Sequence, residues 1–526
     1  MKPSDLGLKH DTWRPHQEET TAWALEQHGH TFLEAPTGSG KTAIAAALAS
    51  KGSVMALAQT KMLQKENYGA QYGFDILFGR GNYPCALLNG KVSGSECGYA
   101  QNMHACPKAH ECEYLIEKSL CQGSSLVSLN YAYYLSARWP RQRGASYLVM
   151  DECDELPEIV LERAGITVTD EQRHRYKLPN FQPINSKSTV LFEADPVDAS
   201  IHWLRRCIAA VSEQIGALKD PVPGSKASQQ LINLSTFRNK IVATREAMET
   251  SPEDWYIRSG DAARSFRGNK QPGFIARPLT ARHHASLWFA EADSANLMMS
   301  ATIGSPETLA AELGIAEFST RSVPSVWPVE SRYIWAPKDG PAIGQKSTES
   351  AYVKQAEMMA DAIHGCPPEW SGVALMTRKS EAPLVAQRLA RYNGLGDRVW
   401  VPPQVSTDEQ SRLWEERKRK VPGSIMLSWA HWRGWDGLDE KMLFILKTPF
   451  PSLADEYEMA RRSYNGKLFF WRTANLLSQG LGRTRRGRPE DYDTDTKSNG
   501  MVCILDTNWK RVQKYVPPYL LESMVT

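Results

Sequence analysis

Residues 35–42 read APTGSGKT, and this stretch decides the class of fold. The short apolar run at residues 31–33 predicts a strand before it, and the alanine-rich run at 43–49 predicts a helix after it. A strand, a glycine loop, Lys-Thr and a helix in this order are typical of the phosphate-binding loop of nucleoside triphosphatases. An ordinary glycine turn before a helix is the alternative, but it does not require Lys-Thr at this place.

The chemistry of the loop comes from its glycines and its last two residues. Glycines let successive backbone N–H groups turn towards an anionic phosphate. Lys41 is expected to reach the β- and γ-phosphates and the Thr42 hydroxyl to bind Mg²⁺. A glutamine before the loop can read the adenine edge with its amide. We therefore expect ATP to bind through Gln17, Ala35, Pro36, Thr37, Gly38, Ser39, Gly40, Lys41 and Thr42.

The second half of an ATPase site follows a later strand. Residues 146–150 (SYLVM) predict a buried strand that ends at Asp151-Glu152-Cys153-Asp154. Asp151 is expected to hold Mg²⁺, mostly through water, and Glu152 to orient and deprotonate the attacking water. Two acids after a strand are often only a solvated turn, but the phosphate loop in the same chain favours the catalytic interpretation.

Composition sets the broad class of protein. With 526 residues, 42% hydrophobic and 23% charged, the chain has an ordinary globular balance and room for about three to four domains. Its formal net charge of +3 is too small to indicate nucleic-acid binding by itself. No apolar stretch approaches the roughly eighteen residues that span a bilayer. Since the first residues lack a signal peptide's apolar core, we expect no membrane partner and a cytoplasmic or nucleoid-associated protein.

Five of the nine cysteines fall in one short stretch. Four of them are spaced Cys85-x11-Cys97-x8-Cys106-x5-Cys112, and Cys121 follows. Such thiols in a loop-rich segment favour a metal centre that stabilises a small subdomain. Structural zinc usually has tight Cys-x2-Cys pairs, which are absent here, and iron–sulfur clusters accept wider spacings. A zinc site that uses His104 or His110 remains an alternative, as does a chance cluster of free thiols.

Beyond the acidic pair, the pattern changes twice. From about residue 180 to 273 apolar residues recur at helical spacing, which predicts an inserted helical domain. A strand at 295–302 then resumes the first sheet. From residue 323 onward strands and helices alternate again, which predicts a second α/β domain. Its predicted elements are helix 349–363, strand 373–376, helix 381–390, and strands 424–427, 442–447 and 500–506.

The second domain has no phosphate loop but carries two polar motifs. Residues 432–436 read WRGWD, and residues 479–486 read QGLGRTRR. Arginines three residues apart on a helix project from one face. Aimed across a domain cleft at ATP, Arg483 and Arg486 would neutralise charge on the γ-phosphoryl group as arginine fingers. The alternative is a basic, solvated helix.

Taken in order, these motifs resemble one family over nearly the whole chain: the superfamily 2 helicases of the XPD/DinG type. The family's motifs I, Ia, II, III, V and VI are similar to APTGSGKT, ALAQTKMLQ, DECD, SAT, HWRGWDG and QGLGRTRR, respectively. The most specific piece is GRGNYPC at residues 79–85, which resembles the family's entry into its 4Fe–4S domain. The helical insert between motifs II and III matches the family's Arch domain.

The resemblance implies a cofactor and further site residues. It implies a 4Fe–4S cluster on Cys85, Cys97, Cys106 and Cys112, with Cys112 preferred to Cys121 because an aromatic and a basic residue follow it, as in the family. It places Asp436 and Gln479 in the ATP site. The strand-end residues Thr60 and Lys61 are candidates to contact nucleic-acid phosphates, a plain strand-to-helix cap being the alternative, and Tyr83 is a candidate platform for base stacking.

The resemblance also implies the activity. It is ATP-driven 5′→3′ translocation of a monomer on single-stranded DNA, with unwinding of forked duplex DNA. A helicase-like factor that remodels nucleic acid without separating strands, an RNA helicase and, less compatible with a second α/β domain, a P-loop kinase are the alternatives. Two departures leave roles open, because Asp154 stands where motif II usually ends in His and Arg433 where motif V usually has Glu.

We therefore predict an α/β protein with two RecA-like, doubly wound parallel-sheet motor domains and two inserts, an iron–sulfur domain and a helical Arch domain. The expected division is motor domain 1 at 1–78, 123–178 and 276–318, the iron–sulfur domain at 79–122, the Arch-like insert at 179–275, and motor domain 2 at 319–526.

Overall fold

The computed structural model describes residues 1–97, 99, 103–181, 196–218, 222, 225–260, 273–289, 295–325, 329, 333–344, 346–432, 440–482 and 500–525. In chain order the strands are β1 (His30–Glu34), β2 (Val54–Ala58), β3 (Asp75–Leu77), β4 (Leu126–Asn130), β5 (Tyr147–Asp151), β6 (Ile166–Thr169), β7 (Trp255–Gly260), β8 (Gly273–Pro278), β9 (Ala295–Ser300), β10 (Ser319–Ser322), β11 (Tyr333–Trp335), β12 (Gly372–Leu375), β13 (Val399–Trp400), β14 (Ile425–Ser428), β15 (Met442–Ile445), β16 (Met501–Ile504) and β17 (Met524–Val525). The helices are α1 (Gln17–Glu26), α2 (Lys41–Ala47), α3 (Glu113–Gly123), α4 (Tyr131–Ser136), α5 (Trp139–Arg143), α6 (Leu156–Ala164), α7 (Asp170–Arg175), α8 (Pro196–Ala217), α9 (Lys226–Thr250), α10 (Arg282–Phe289), α11 (Pro306–Leu313), α12 (Glu349–His364), α13 (Ala382–Leu389), α14 (Thr407–Lys420), α15 (Glu456–Tyr464), α16 (Gly466–Leu481) and α17 (Pro518–Leu521).

The first lobe is built on a seven-stranded sheet in the order β10-β1-β9-β5-β2-β4-β3. Each pair of neighbouring strands in it is parallel. β2 is buried at every residue, with Met55 and Leu57 in one apolar core and Val54 and Ala56 in another. Parallel sheets need cover on both faces, which explains why the strands read as apolar runs rather than as alternating patterns.

The second lobe repeats this plan with a seven-stranded parallel sheet in the order β13-β14-β12-β15-β16-β11-β17. Its central strands β12, β14 and β15 are buried throughout. One apolar core contains Met298 of β9 and also Leu477 of α16, so the two lobes meet through buried side chains. The predicted fold class, two lobes with parallel sheets, is confirmed.

The insert between motifs II and III of the first lobe combines helices with a small sheet. The long helices α8 and α9 pack on a three-stranded antiparallel sheet in the order β6-β8-β7. The helices were predicted, but the sheet was not. Residues 273–278 alternate between buried and half-buried positions, which is the period of a strand with one covered face. The insert is predicted at residues 179–275. Strand β6 therefore lies before the predicted insert, and β8 crosses its end.

Helix α15 connects the second lobe to this insert. The Tyr457 hydroxyl donates to the carbonyl of Pro278 at 2.7 Å, and the Arg277 guanidinium lies 4.1 Å from the centre of the Tyr457 ring. The Tyr464 hydroxyl donates to Asp254 at 2.7 Å. Helix α15 of the second lobe therefore contacts the end of β8 and the residue before β7.

The elements predicted for the second α/β domain are present with small shifts at their ends. The helix predicted at 349–363 is Glu349–His364, and the strand predicted at 442–447 is Met442–Ile445. One boundary needs correction, because β10 pairs with β1 and extends the first sheet beyond the predicted limit at 318. Its sequence, STRS, carries no apolar signal. Among the described residues, no helix combines the length and apolarity needed to cross a bilayer.

Candidate functional site

The phosphate-binding loop leaves the end of β1 and enters α2. Gly38 and Gly40 have positive φ angles of 88° and 79°, which glycine adopts without steric cost. The Lys41 ammonium donates to the carbonyl of Ala35 at 3.1 Å, so it lies over the loop. The Ala35 N–H donates to the carbonyl of Ser300 at 2.9 Å, which fixes the loop to the end of β9. The loop is thus held at both of its ends, by the end of β9 and by the first residue of α2.

Gln17 supports the loop from α1. Its Oε1 accepts from the Arg14 N–H at 3.0 Å, and its Nε2 donates to the Gly40 carbonyl at 3.1 Å. A Cβ at Gly40 would lie 2.2 Å from this nitrogen, so the contact requires glycine there. The Arg14 guanidinium donates to the Gly38 carbonyl. Sequence reasoning missed Arg14, although it stands three residues before Gln17 in the same short polar stretch.

Asp151 and Glu152 stand at the end of β5, beside the loop. Asp151 is buried and accepts from the Tyr68 hydroxyl at 3.2 Å. Burial raises the pKa of the Asp151 carboxyl, the adjacent Glu152 charge adds to this, and the Lys41 ammonium opposes it. Glu152 has a positive φ of 55°, a strained conformation for a residue with a side chain, of the kind that clusters at functional sites.

Asp154 connects the two lobes. It is 3% exposed and accepts from the Ser300 hydroxyl at 2.6 Å and the Thr302 hydroxyl at 3.4 Å, both at the end of β9. From the second lobe, Gln479 Nε2 donates to Asp154 Oδ2, the oxygen that also accepts from Thr302, at 2.9 Å. The Ser300 hydroxyl also lies 3.2 Å from the Glu152 carboxylate. The role that the sequence left open for Asp154 is therefore a hydrogen-bonded link from the acidic pair to α16.

The other residues predicted for the ATP site belong to the second lobe. Gln479 lies on α16, next to Gly480, which packs against the Trp432 ring. Arg433, Asp436, Arg483 and Arg486 lie outside the described residues.

The cysteine segment consists of short turns that lead into α3. Cys85, Cys97, Cys106 and Cys112 are free thiols, with Cys85 buried and the others half-buried. Burial raises the pKa of the Cys97 thiol, and Cys85 and Cys106 lie close enough to raise it further. Cys121 differs, because it is inside α3 and burial raises its pKa to about 12. Cys121 thus lies on the helix, whereas the other four cysteines precede it.

The residues predicted to contact nucleic acid are placed differently from one another. Lys61 is exposed just past the end of β2, and its ammonium donates to Asn82. The Thr60 hydroxyl accepts from the N–H of Leu63 at 3.2 Å, at the start of a π-helix that spans Leu63–Ala70. Tyr83 is only 6% exposed, and its hydroxyl donates to Glu117. A ring buried in this way offers no face to a base, which argues against Tyr83 as a stacking platform.

Comparison with solved structures identifies the class of fold, which is that of a two-lobed helicase motor. A structure described as "XPD_Helicase" matches with a TM-score of 0.57 and 13% identity, over 96% of this chain and 98% of that one. The structure of Xpd4 from S. tokodaii matches with a TM-score of 0.54 and 13% identity, over 97% and 99%. The particular fold is therefore that of the XPD helicases, as the motifs predicted. No protein-family model and no curated protein matches the sequence.

Proposed function

We propose that this protein is an ATP-dependent DNA helicase that moves 5′→3′ along single-stranded DNA and unwinds forked duplexes. The observation that carries the proposal is the contact of Gln479 in the second lobe with Asp154 in the first, 2.9 Å long. This contact reaches Glu152 through the Ser300 hydroxyl. A change at the bound phosphate can thus alter the contact between lobes, which is what a motor needs.

The roles proposed for the site residues follow from the motifs to which they belong. Residues 35–42 cradle the phosphates of ATP. Lys41 neutralises phosphate charge, the Thr42 hydroxyl binds Mg²⁺, and Asp151 holds the Mg²⁺ through water. Glu152 orients and deprotonates the attacking water. From the resemblance of their motifs, we propose that Arg483 and Arg486 stabilise the charge on the γ-phosphoryl group and that Asp436, Gln479 and Gln17 complete the site. Both halves of the site belong to one chain, so a monomer suffices.

For the cysteine segment we propose a 4Fe–4S cluster held by Cys85, Cys97, Cys106 and Cys112. The support is chemical. These thiols are free and lie in or beside turns, and Cys85 and Cys106 lie close enough to Cys97 to raise the pKa of its thiol. The segment has little apolar core of its own, so the cluster supplies cohesion to this insert. Lys61 and Thr60 are the proposed contacts to DNA phosphates.

ATP hydrolysis with and without nucleic acid tests the main proposal. We expect hydrolysis to be stimulated by single-stranded DNA and abolished by Lys41→Ala, which removes the ammonium over the loop. Lys51→Ala, just beyond the helix that follows the loop, is the control. Equal hydrolysis without nucleic acid refutes the motor, and stimulation by RNA alone favours the RNA helicase.

Forked substrates separate the helicase from a remodelling factor. A 5′-tailed duplex should be unwound and a 3′-tailed duplex should not. Hydrolysis with no unwinding of any fork favours a factor that binds or remodels nucleic acid without strand separation.

Paired cysteine variants test the cluster. Protein purified anaerobically should be brown and contain iron and sulfide. Cys112→Ser should lose the colour, whereas Cys121→Ser should keep it, because Cys121 lies inside α3 and Cys112 precedes it, beside the turns that carry the other thiols. A colourless protein with stoichiometric zinc contradicts the assignment.

A further inference from the structure

The turn after β9 is the place where the second lobe grips the first. The Trp471 indole donates to the carbonyl of Ile303 at 2.8 Å, and the Tyr519 hydroxyl donates to the carbonyl of Ala301 at 3.0 Å. A Cβ at Gly304 would lie 2.1 Å from the carbonyl oxygen of Tyr515. Three residues of the second lobe thus contact Ala301, Ile303 and Gly304 of the first, and at Gly304 the backbones approach as closely as glycine permits.

From the opposite side, Glu34 holds the same turn. Its carboxylate accepts from the Gly304 N–H at 2.5 Å and from the Ser322 hydroxyl at 3.1 Å. Its own carbonyl accepts from the Val323 N–H at 2.8 Å. Ser322 is the last residue of β10, after which the chain leaves the first lobe for the second. One side chain therefore fixes both the gripped turn and the start of the connection between lobes.

Glu34 is also the residue immediately before the phosphate loop. It ends β1, and the next residue, Ala35, opens the loop and accepts from Lys41. Glu34 is 4% exposed, and burial raises the pKa of its carboxyl. Placing a carboxylate in such a position costs free energy unless hydrogen bonds compensate, and here they come from the turn and from the connection.

The contact between the lobes contains a buried amide without a hydrogen-bond partner among the described residues. Asn475, on the face of α16 that meets the turn, is 1% exposed, and among the described residues neither its amide nitrogen nor its amide oxygen has a hydrogen-bond partner. An unpaired buried amide costs about 1–3 kcal/mol.

We infer that Glu34 is a positioning residue that transmits occupancy of the phosphate loop to the grip of the second lobe on residues 301–304. The inference rests on the proposed ATP site, because it needs the loop to bind a nucleotide. It assigns Glu34 no contact with ATP. A shift of the loop on binding moves the end of β1, and the Glu34 carboxylate carries this shift to the Gly304 N–H and to Ser322.

Hydrogen–deuterium exchange of the full chain tests this inference, with Mg²⁺ and a non-hydrolysable ATP analogue as the probe. In the wild-type protein, the analogue should slow exchange at residues 35–42 and at residues 301–305. Glu34→Ala should keep the effect at 35–42 and lose it at 301–305. Glu34→Gln is the matched control and should keep both effects, because its amide oxygen can accept from Gly304 while its nitrogen donates to Ser322.

A second variant covers the case in which Glu34→Ala fails to fold. Trp471→Phe keeps an aromatic ring but removes the donor to the Ile303 carbonyl, and it should likewise lose the effect at 301–305. The inference is overturned if either folded alanine or phenylalanine variant keeps the wild-type effect there, or if wild-type protein shows it only at 35–42. An analogue that slows exchange nowhere refutes the proposed ATP site itself.

Discussion

Several carboxylates of the first lobe are buried and held by neutral donors. Asp154 is held by two hydroxyls and an amide, and Glu34 by a backbone N–H and a hydroxyl. Glu312 on α11 accepts from the Ala281 N–H at 2.8 Å and the Thr280 hydroxyl at 3.1 Å. Such hydrogen bonds offset the cost of removing a carboxylate from water.

Glu312 gives a prediction for the pH dependence of stability. Burial raises the pKa of its carboxyl from 4.5 to about 7. The folded state then binds the proton more tightly than the unfolded state, so this group's contribution to the free energy of unfolding falls as pH rises from 4.5 to about 7. The slope is at most about 1.4 kcal/mol per pH unit. Glu312→Gln stays neutral and should lack this fall.

Urea unfolding below and above this range measures the effect. Relative to wild type, Glu312→Gln should gain stability as pH rises, and Glu307→Gln, at the exposed start of the same helix, should not. Parallel curves for wild type and Glu312→Gln would show that the carboxyl titrates normally.

At the scale of elements, α15 of the second lobe also contacts the first lobe through a buried arginine. Arg461 is 2% exposed and forms a bidentate pair with Glu158 of α6, with both distances 3.0 Å. Arg472 of α16 also reaches Glu158, at 2.9 Å. The partner is 39% exposed, so solvent screens the pair in part.

We predict that Arg461→Ala lowers the free energy of unfolding by about 2 kcal/mol, less than the loss of a fully buried pair. A double-mutant cycle with Glu158→Ala should show a coupling energy of about 1 kcal/mol or more. Arg462→Ala, whose guanidinium lies 5.2 Å from the Phe469 ring, removes only a cation–π contact and should cost less than about 1 kcal/mol. Equal losses for Arg461 and Arg462 would contradict a specific link.

Elements and motifs of this chain are local properties, and the sequence predicts them well. The phosphate loop, the acidic pair and the elements of the second lobe depend on neighbouring residues and on helix or strand periods. The cores of the parallel strands follow because continuous apolar runs indicate burial on both faces. Strand β10, with its polar STRS sequence, and the alternating strand β8 at the edge of the insert were missed or misplaced because their signals are short.

Contacts between distant parts of the chain could not be predicted in this way. Trp471, Tyr519 and Arg461 gain their importance from residues of the other lobe, more than a hundred positions away. Tyr83 looked like an exposed aromatic residue in a loop and is instead packed against Tyr114. Even Glu34, one residue before the most recognisable motif of the chain, shows its partners only in three dimensions.

The order of strands in the first sheet has a consequence for how this protein is made. β1, which carries the phosphate loop, lies between β9 and β10, and His30 pairs with Asn296. A chain leaving the ribosome therefore displays its phosphate loop long before the neighbouring strands of β1 exist. Contacts so distant in sequence make folding slow and leave apolar strand edges exposed to other chains. The nascent protein therefore passes through a period in which β1 lacks both of its neighbouring strands and the nucleotide site cannot yet form.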